Sequence, residues 1–229
     1  MTRLLLWDVD GTLIRTRGIG AEVFDRAFER VLGLTPAGRI PLSGKTDPQI
    51  VLEYLELMVV DDPHVQLPRL LEQVEAELAA SADLLAEMGS PLPGITRLLP
   101  RLAGAPGVHQ TLLTGNLTAN AAVKVGAFGL QRWLDLEIGA YGSDHADRCQ
   151  LVPIALGRAR QLRQLKVDPD DTWVIGDTAN DFACAQAGGV HCLLVATGGS
   201  SAEDLRCLGA DAVMDDLSDV DAAFQLLAG

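Results

Sequence analysis

The chain has 229 residues, of which 48% are hydrophobic, so it can bury one sizeable domain, or a core domain with a smaller appendage, and disorder is not expected. Its 31 acidic and 18 basic residues give a formal net charge of -13, a field that repels phosphodiester backbones and excludes nucleic acid as a natural partner. The same field repels small phosphorylated molecules, so a phosphate site has to supply its own positive charge, for example from a bound metal ion.

Cysteine spacing and hydropathy indicate the compartment. No CxxC or other metal-type spacing occurs, no signal peptide precedes the acidic residues near the start, and no apolar run approaches the length of a membrane span. We therefore expect reduced thiols and a soluble, cytoplasmic protein with no membrane partner. The cysteines are Cys149, Cys184, Cys192 and Cys207.

Short apolar runs alternate with helical patterns along most of the chain. The first run, residues 4–9, stops at acidic residues and a glycine, as a buried parallel strand does at an active-site edge. This alternation predicts an α/β fold with a doubly wound, Rossmann-like parallel sheet, which binds ligands beyond the carboxyl ends of its strands. The later strands are predicted at 108–113, 172–175, 190–196 and 212–214, and the helices at 94–102, 117–128, 151–165, 182–187, 203–208 and 220–227.

The stretch 14–92 breaks the alternation. Helical patterns cover 21–32, 48–59 and 67–88, no convincing strand occurs, and the Pro- and Gly-rich return at 89–94 is typical of a hinge. Roughly 75 residues is far more than the dozen or so that a strand crossover needs. We therefore predict a core domain from residues 1–14 and 93–229, with an all-helical inserted domain, 15–92, over the edge of the sheet.

Two carboxylates follow the first strand. Asp8 and Asp10 would point to the same side of a continuing strand, and like charges so close call for a compensating cation. Gly11 allows the backbone to turn sharply and to approach a ligand. An Asp-x-Asp also occurs in ordinary solvated turns, but the buried-strand pattern before it and the Gly-Thr after it favour a functional site.

A second pair of carboxylates follows the strand predicted at 172–175. Asp177 and Asp181 are four residues apart, which places them on one face if a helical turn begins there. Asp181 taken alone could equally cap a helix. Two acidic strand ends in one α/β sheet suit Mg²⁺, which prefers oxygen ligands.

Two further segments offer contacts for a phosphate group. The Thr114 hydroxyl and the amides of Gly115 and Asn116 could hold phosphate oxygens at the start of the next helix, although Thr-Gly-Asn also makes an ordinary turn. Arg148, just before the helix predicted at 151–165, lies in the right interval of the chain to supply a cation. A surface arginine is the alternative.

In this order the four segments resemble those of the haloacid dehalogenase superfamily, in its phosphoglycolate-phosphatase-like branch. The match is specific for Asp-x-Asp-Gly-Thr at residues 8–12 and Gly-Asp-x-x-x-Asp at residues 176–181, and weaker for the Thr114 segment and the cation. It covers the whole chain, and the insert resembles the C1 cap of the superfamily. The resemblance implies a Mg²⁺-dependent phosphatase that acts on a small phosphorylated metabolite.

The resemblance also implies roles. Asp8 would attack phosphorus and carry an aspartyl-phosphate, and Asp10 would act as general acid and base. Mg²⁺ would be held by Asp8, the backbone carbonyl of Asp10 and Asp177, with Asp181 in support. The phosphoryl group would be bound by Gly11, Thr114, Gly115 and Asn116, and its charge neutralised by Arg148.

The chain departs from the family at the cation. Many members carry lysine there, whereas this chain has Arg148, with Arg158 as a competitor for the role. The segment 42–48 resembles the substrate-specificity loop of the family, and Lys45 in it is the residue expected to reach an anionic end of the substrate. His145 is the one histidine near the predicted site.

Other activities remain to be distinguished. Asp10 argues against dehalogenase and phosphonatase chemistry, but a phosphoglucomutase-like isomerase shares all four segments and the cap. A phosphoacceptor without turnover, or an interaction protein that uses the cap surface, is a further alternative. The expected partner is a small phosphorylated metabolite, phosphoglycolate being the family default, and the expected state is a monomer or a homodimer.

Overall fold

The structure, a computed structural model, describes residues 2–229 and contains eight strands in this range. They are β1 (Arg3–Trp7), β2 (Ile14–Arg15), β3 (Ser90–Pro91), β4 (Val108–Thr114), β5 (Ala140–Tyr141), β6 (Thr172–Gly176), β7 (His191–Val195) and β8 (Ala212–Met214). Six of them form one parallel sheet in the order β5-β4-β1-β6-β7-β8. The predicted α/β fold with a doubly wound parallel sheet is confirmed.

Helices cover both faces of this sheet and build the insert. Those of the insert are α1 (Ile19–Leu32), α2 (Asp47–Leu57), α3 (Pro63–Ala80) and α4 (Ala82–Met88). The others are α5 (Ile95–Ala103), α6 (Thr118–Gly126), α7 (Leu151–Arg163), α8 (Ala179–Gly188), α9 (Ala202–Arg206) and α10 (Val220–Ala228). Within residues 2–229, none of the helices has both the length and the apolar composition that crossing a membrane requires.

The central strand β1 is buried on both faces because every residue from Leu4 to Trp7 is apolar. Leu5 and Trp7 pack on one face, in the apolar cluster that includes α5 and α10. Leu4 and Leu6 point to the opposite face, in the cluster that includes α7 and α8, as the period of two of a strand requires. β1 therefore carries no polar side chain between Leu4 and Trp7, and the first one after it is Asp8.

The insert has an apolar cluster of its own, built mainly from α1, α2 and α3. Phe28 and Tyr54 meet edge to face in it, with ring centroids 5.6 Å apart. One buried residue of this cluster, Leu117 just before α6, belongs to the sheet domain and not to the insert. The insert is thus held together by its own packing, and it meets the sheet domain along α6, where Leu117, Val123, Ala127 and Phe128 join its cluster.

Several element predictions were wrong in detail. No strand was expected in 14–92, yet β2 pairs antiparallel with β3, so the two chain crossings into the insert form a small ribbon. The single helix predicted at 67–88 is two helices, broken at Ser81, whose hydroxyl donates to the Glu77 carbonyl at 2.7 Å. The helix predicted at 182–187 begins three residues earlier because Thr178 caps it.

Candidate active site

The candidate site lies where three strands of the sheet end side by side. Asp8 directly follows β1, Thr114 ends β4 and Asp177 directly follows β6, and the parallel register keeps these ends level. Since β4 and β5 extend the sheet to one side of β1, and β6 to β8 to the other, this is the switch point at which doubly wound sheets bind ligands.

Three carboxylates converge at this point. Asp8, Asp177 and Asp181 offer oxygens that all lie within 4.8 Å of one another, and the three residues are buried. Burial raises the pKa of Asp8 to about 6, against the opposing effect of Arg148 and with the help of Asp181 and Asp10. Burial, followed by the charges of Asp181 and Asp8, raises the pKa of Asp177 to about 8. The cluster therefore carries more negative charge than its surroundings compensate.

Arg148 is the cation in contact with this cluster. It begins a 3-10 turn, Arg148–Gln150, for which the Asp147 side chain accepts from the backbone N–H of Cys149. Its Nη2 lies 3.1 Å from Asp8 Oδ1 and donates to Asp181 Oδ1. Burial alone would lower the pKa of Arg148, but Asp181 and Asp8 raise it above its ordinary value, so the guanidinium stays charged. The structure thus brings Arg148 to the site.

Arg158, the competing arginine, is engaged elsewhere. Its Nη1 and Nη2 donate to the two carboxylate oxygens of Asp144, each at 2.6 Å, and Nη1 also donates to the Gly139 carbonyl. His145 accepts from the backbone N–H of Asp147 at 2.9 Å. Both residues therefore hold the loop before α7 in place and contact none of the three clustered carboxylates.

Two glycines let the backbone approach Asp177. Gly11 has a φ of +84°, and a Cβ placed on it would lie 2.4 Å from Asp177 Oδ2. A Cβ on Gly198 would lie only 1.7 Å from the same oxygen. Thr12 Oγ1 donates to Asp177 Oδ1 at 3.2 Å. Gly11 was predicted to bind the phosphoryl group. In the structure it lies directly against Asp177 of the acidic cluster, and it also lines the cavity described below.

Asp181 caps α8. Its Oδ2 accepts from Thr178 Oγ1 at 2.7 Å and from the backbone N–H groups of Thr178 and Asp177 at 3.0 and 3.2 Å. Thr178 in turn accepts from the Asp181 amide, which completes a capping box. The cap anticipated from the sequence is present, and it fixes Asp181 where Oδ1 meets Arg148.

Asp10 lies in different surroundings from Asp8. Its Oδ2 accepts from Asn116 Nδ2 at 2.7 Å and from Lys124 Nζ at 2.6 Å, and its side chain is 40% exposed. Lys124 also donates to Asn116 Oδ1 at 2.6 Å. Sequence reasoning missed Lys124, although Asn116 and Lys124 stand eight residues, or about two helical turns, apart.

The segment predicted to bind phosphate, residues 114–116, is in contact with the insert. Thr114 Oγ1 accepts from Asn116 Nδ2 at 2.8 Å, and the Gly115 carbonyl accepts from the Asp47 amide at 2.7 Å. A Cβ on Gly115 would lie 2.0 Å from the Lys45 carbonyl oxygen. Thr114, Gly115 and Asn116 are thus brought together, and glycine is required where the insert loop crosses.

Asp47 of the insert, which sequence reasoning also missed, caps α6. Its Oδ2 accepts from the Leu117 amide at 2.8 Å and from Asn120 Nδ2 at 3.1 Å. Burial raises the pKa of Asp47, opposed by Lys124 and by these two donors. A carboxylate of the insert therefore binds one backbone N–H and one side-chain amide at the start of this helix.

A cavity of about 510 Å³ separates the sheet edge from the insert. Lys45, predicted to reach an anionic end of the substrate, lines it, but its Nζ forms an ion pair with Glu53 of α2 and its side chain is only 17% exposed. Arg15 and Arg17, at the entry to the insert, line the cavity too and were not singled out from the sequence. The chain thus supplies positive charge on the insert side in spite of its net charge.

The acidic cluster fits a hard divalent cation. Its donors are carboxylate oxygens, the chemistry that Mg²⁺ prefers. Within residues 2–229 the three carboxylates have one guanidinium in contact, that of Arg148, which pairs with Asp8 and Asp181.

The family model described as haloacid dehalogenase-like hydrolase matches residues 5–186, and a second hydrolase-like model matches residues 153–220. The chain is 27% identical over 225 residues to a plasmid-borne phosphoglycolate phosphatase of Cupriavidus necator. The aligned region covers 93% of this chain and 89% of that protein.

Solved structures share the fold. CbbY from Rhodobacter sphaeroides, determined in complex with phosphate, superposes with a TM-score of 0.69 at 20% identity, over 96% of each chain. A hydrolase from Pseudomonas syringae superposes with a TM-score of 0.70 at 19% identity, over 100% of each chain. These likenesses confirm the expected fold over the full length of the chain.

Proposed function

The chain belongs to the haloacid dehalogenase-like hydrolase family and is a phosphatase, and we propose that it releases phosphate from a small phosphorylated metabolite through an aspartyl-phosphate on Asp8. The observation that carries this proposal is the contrast between two carboxylates two residues apart. Asp8 lies in an acidic cluster with Arg148, whereas Asp10 pairs with Lys124 and faces the cavity.

Asp8 is the nucleophile in this proposal. A carboxylate oxygen of Asp8 attacks phosphorus while the bond from phosphorus to the substrate oxygen breaks, and the phosphoryl group passes to Asp8. Arg148 lies against Asp8 Oδ1 and neutralises charge on the phosphoryl oxygens. Gly11, Thr114, Gly115 and Asn116 line the same cavity and would orient the group.

Asp10 is the general acid and general base in this proposal. It donates a proton to the leaving oxygen in the first displacement and takes one from the attacking water in the second, which returns Asp8 to its free form and releases phosphate. Its exposed side chain and its place on the cavity wall suit both tasks.

Mg²⁺ would be held by Asp8, Asp177 and the backbone carbonyl of Asp10. Asp181 would support the site indirectly, through its contact with Arg148 and its place in the capping box of α8. When bound, the ion supplies positive charge to the carboxylate cluster and to the phosphoryl oxygens. This assignment is supported by the oxygen donor set and by the burial of the three clustered carboxylates.

Residues 15–92 act as a cap domain over the core of 1–14 and 93–229. The separate apolar cluster of the insert and the ribbon at its two crossings support this division. A covered cavity of about 510 Å³ favours a small substrate over a phosphoprotein. Together with the phosphoglycolate phosphatase relative, this makes a phosphoglycolate-like compound the first candidate.

The test is a screen of phosphorylated metabolites, 2-phosphoglycolate included, for phosphate release in MgCl₂. Asp8→Asn should lower release at least about 10³-fold because the nucleophile is lost, while the exposed Asp170→Asn should have no effect. Phosphate release that survives in Asp8→Asn would refute the mechanism. Interconversion of sugar phosphates without net release would establish the mutase alternative instead.

A further inference from the structure

Lys124 is a buried ammonium on the side of the site away from the acidic cluster. Its side chain is 8% exposed, yet Nζ reaches the cavity wall, where it bonds Asp10 Oδ2 and Asn116 Oδ1, each at 2.6 Å. It belongs to α6, whose neighbouring residues Ala121 and Val125 are packed in the apolar core.

Packing alone does not call for a lysine here. Burying an ammonium costs free energy unless it is paired, and an apolar side chain would fill the same position of α6 more cheaply. The charge is matched in this structure by Asp10, the residue that faces the substrate cavity. The place of Lys124 is therefore better explained by what it does to Asp10 than by the stability of the fold.

The contacts to Asp10 are one-sided. Both Lys124 and Asn116 bond Oδ2, and no hydrogen-bond donor among residues 2–229 contacts Oδ1. One oxygen of the carboxyl group is thus fixed by two donors, and the rotation of the group is fixed with it. The other oxygen is left for the cavity.

We propose that Lys124 is a positioning residue for proton transfer, which holds Asp10 by Oδ2 so that Oδ1 carries the proton to and from the substrate oxygen. The inference rests on the proposed phosphatase function and deepens it. In the first displacement the proton leaves Oδ1 for the leaving oxygen as its bond to phosphorus breaks and the bond from Asp8 to phosphorus forms. Oδ2 keeps its two donors whether or not Oδ1 is protonated.

The same face of α6 also binds the insert. Asn120 and Lys124 are four residues apart on one face of the helix, where Asn120 donates to Asp47 of the insert and Lys124 to Asp10. The position of Asp10 is thereby set by the helix that the insert contacts.

The experiment compares Lys124→Met with Lys124→Arg, and uses the exposed Lys166→Met as a matched control. The probes are 2-phosphoglycolate, whose alkoxide leaving group needs a proton, and p-nitrophenyl phosphate, whose leaving group needs little help. Lys124→Met should lower kcat/KM about 10–100-fold for the first and less than about fivefold for the second. Lys124→Arg should recover part of the loss, and Lys166→Met should behave as wild type.

Two further measurements decide between positioning and mere structure. In the double variant Asp10→Asn/Lys124→Met, kcat/KM should be no lower than in Asp10→Asn alone, because the lysine acts through the aspartate. Thermal unfolding checks that each variant is folded. Equal losses on both probes, or losses that add in the double variant, would overturn the inference while leaving the phosphatase intact. Wild-type protein that releases phosphate from neither probe and from no metabolite of the screen would instead refute the proposed function, and the positioning role with it.

Discussion

The two ends of the candidate site differ in how far their negative charge is compensated. At one end Asp8, Asp177 and Asp181 meet a single guanidinium, and burial holds the pKa values of Asp8 and Asp177 above their usual range. At the other end Asp10 is matched by one ammonium and one amide. The first end lacks positive charge and is suited to receive a cation and a phosphoryl group. The second is already compensated and is suited to move protons.

Removing a carboxylate from the acidic end should have the largest effect. Asp177→Asn takes away a proposed metal ligand, and we expect kcat in MgCl₂ to fall at least about 100-fold and Mg²⁺ binding to weaken at least about tenfold. Calorimetric titration with MgCl₂ and phosphate-release kinetics measure the two effects.

Asp10→Asn is the matched control for that experiment, because it keeps the backbone carbonyl and changes only the compensated end. It should lose activity but bind Mg²⁺ nearly as wild type does. Equal weakening of Mg²⁺ binding in Asp10→Asn and Asp177→Asn would mean that the two ends are not distinct.

Replacing the cation of the acidic end comes next. Arg148→Met leaves Asp8 and Asp181 without their partner, so we expect a loss of about 10²-fold in kcat together with a lower melting temperature. Arg148→Lys should restore part of the activity, whereas Arg158→Lys, at the arginine that binds Asp144, should change kcat little. Activity that is unchanged in Arg148→Met would remove this residue from the chemistry.

Lys124 could not have been found by the reasoning that found Asp8 and Asp177. Those two follow buried strands, and a parallel sheet brings such ends together whatever the packing of its helices. The position of Lys124 depends on how far α6 is rotated about its axis, which the sequence indicates only through the polar spacing of Asn116, Asn120 and Lys124. The family and the doubly wound fold, by contrast, were predicted and are confirmed.

Contacts between the insert and the sheet domain were equally out of reach. The helical patterns of 15–92 indicated amphipathic helices, but not that Asp47 would cap α6 or that Glu53 would neutralise Lys45. Such contacts depend on how the insert is oriented against the sheet domain, and the spacing of residues within one segment does not encode that orientation. Arg148 lay between these cases, since its interval was predicted but its burial against Asp8 was not.

The acidic end should also respond to pH in the absence of metal. Asp8 and Asp177 have folded-state pKa values of about 6 and about 8, above the unfolded value of 3.8, so the folded protein binds more protons in this range. Their contribution to stability is complete below the unfolded pKa and is lost as pH rises through about 6 and about 8. In EDTA the melting temperature should therefore fall as pH rises from about 5 to about 8.

Added MgCl₂ should reverse that trend, since Mg²⁺ competes with protons for the same oxygens and its stabilising effect grows with pH. Asp177→Asn should flatten both curves. A melting temperature of the metal-free protein that rises steadily across the range would contradict the charge deficit at this end.

The smallest effect is expected on the insert side of the cavity. Lys45→Ala should raise KM for 2-phosphoglycolate about 3–10-fold and lower kcat less, since the Lys45 ammonium is already paired with Glu53 and lies away from the reacting atoms. Glu53→Gln removes the partner of Lys45, frees its charge, and should lower KM. Steady-state kinetics of both variants measure this, and an unchanged KM in each would exclude Lys45 from substrate binding.

The most direct test of the account is to trap the covalent intermediate on Asp8. Protein mixed with 2-phosphoglycolate and MgCl₂ is quenched in acid within one turnover, digested and analysed by peptide mass spectrometry. We predict one phosphoryl group on the peptide that contains Asp8, removable by hydroxylamine as an acyl phosphate and missing in Asp8→Asn. Phosphate release without any such species in wild-type protein, or with the group on a different residue, would contradict the account.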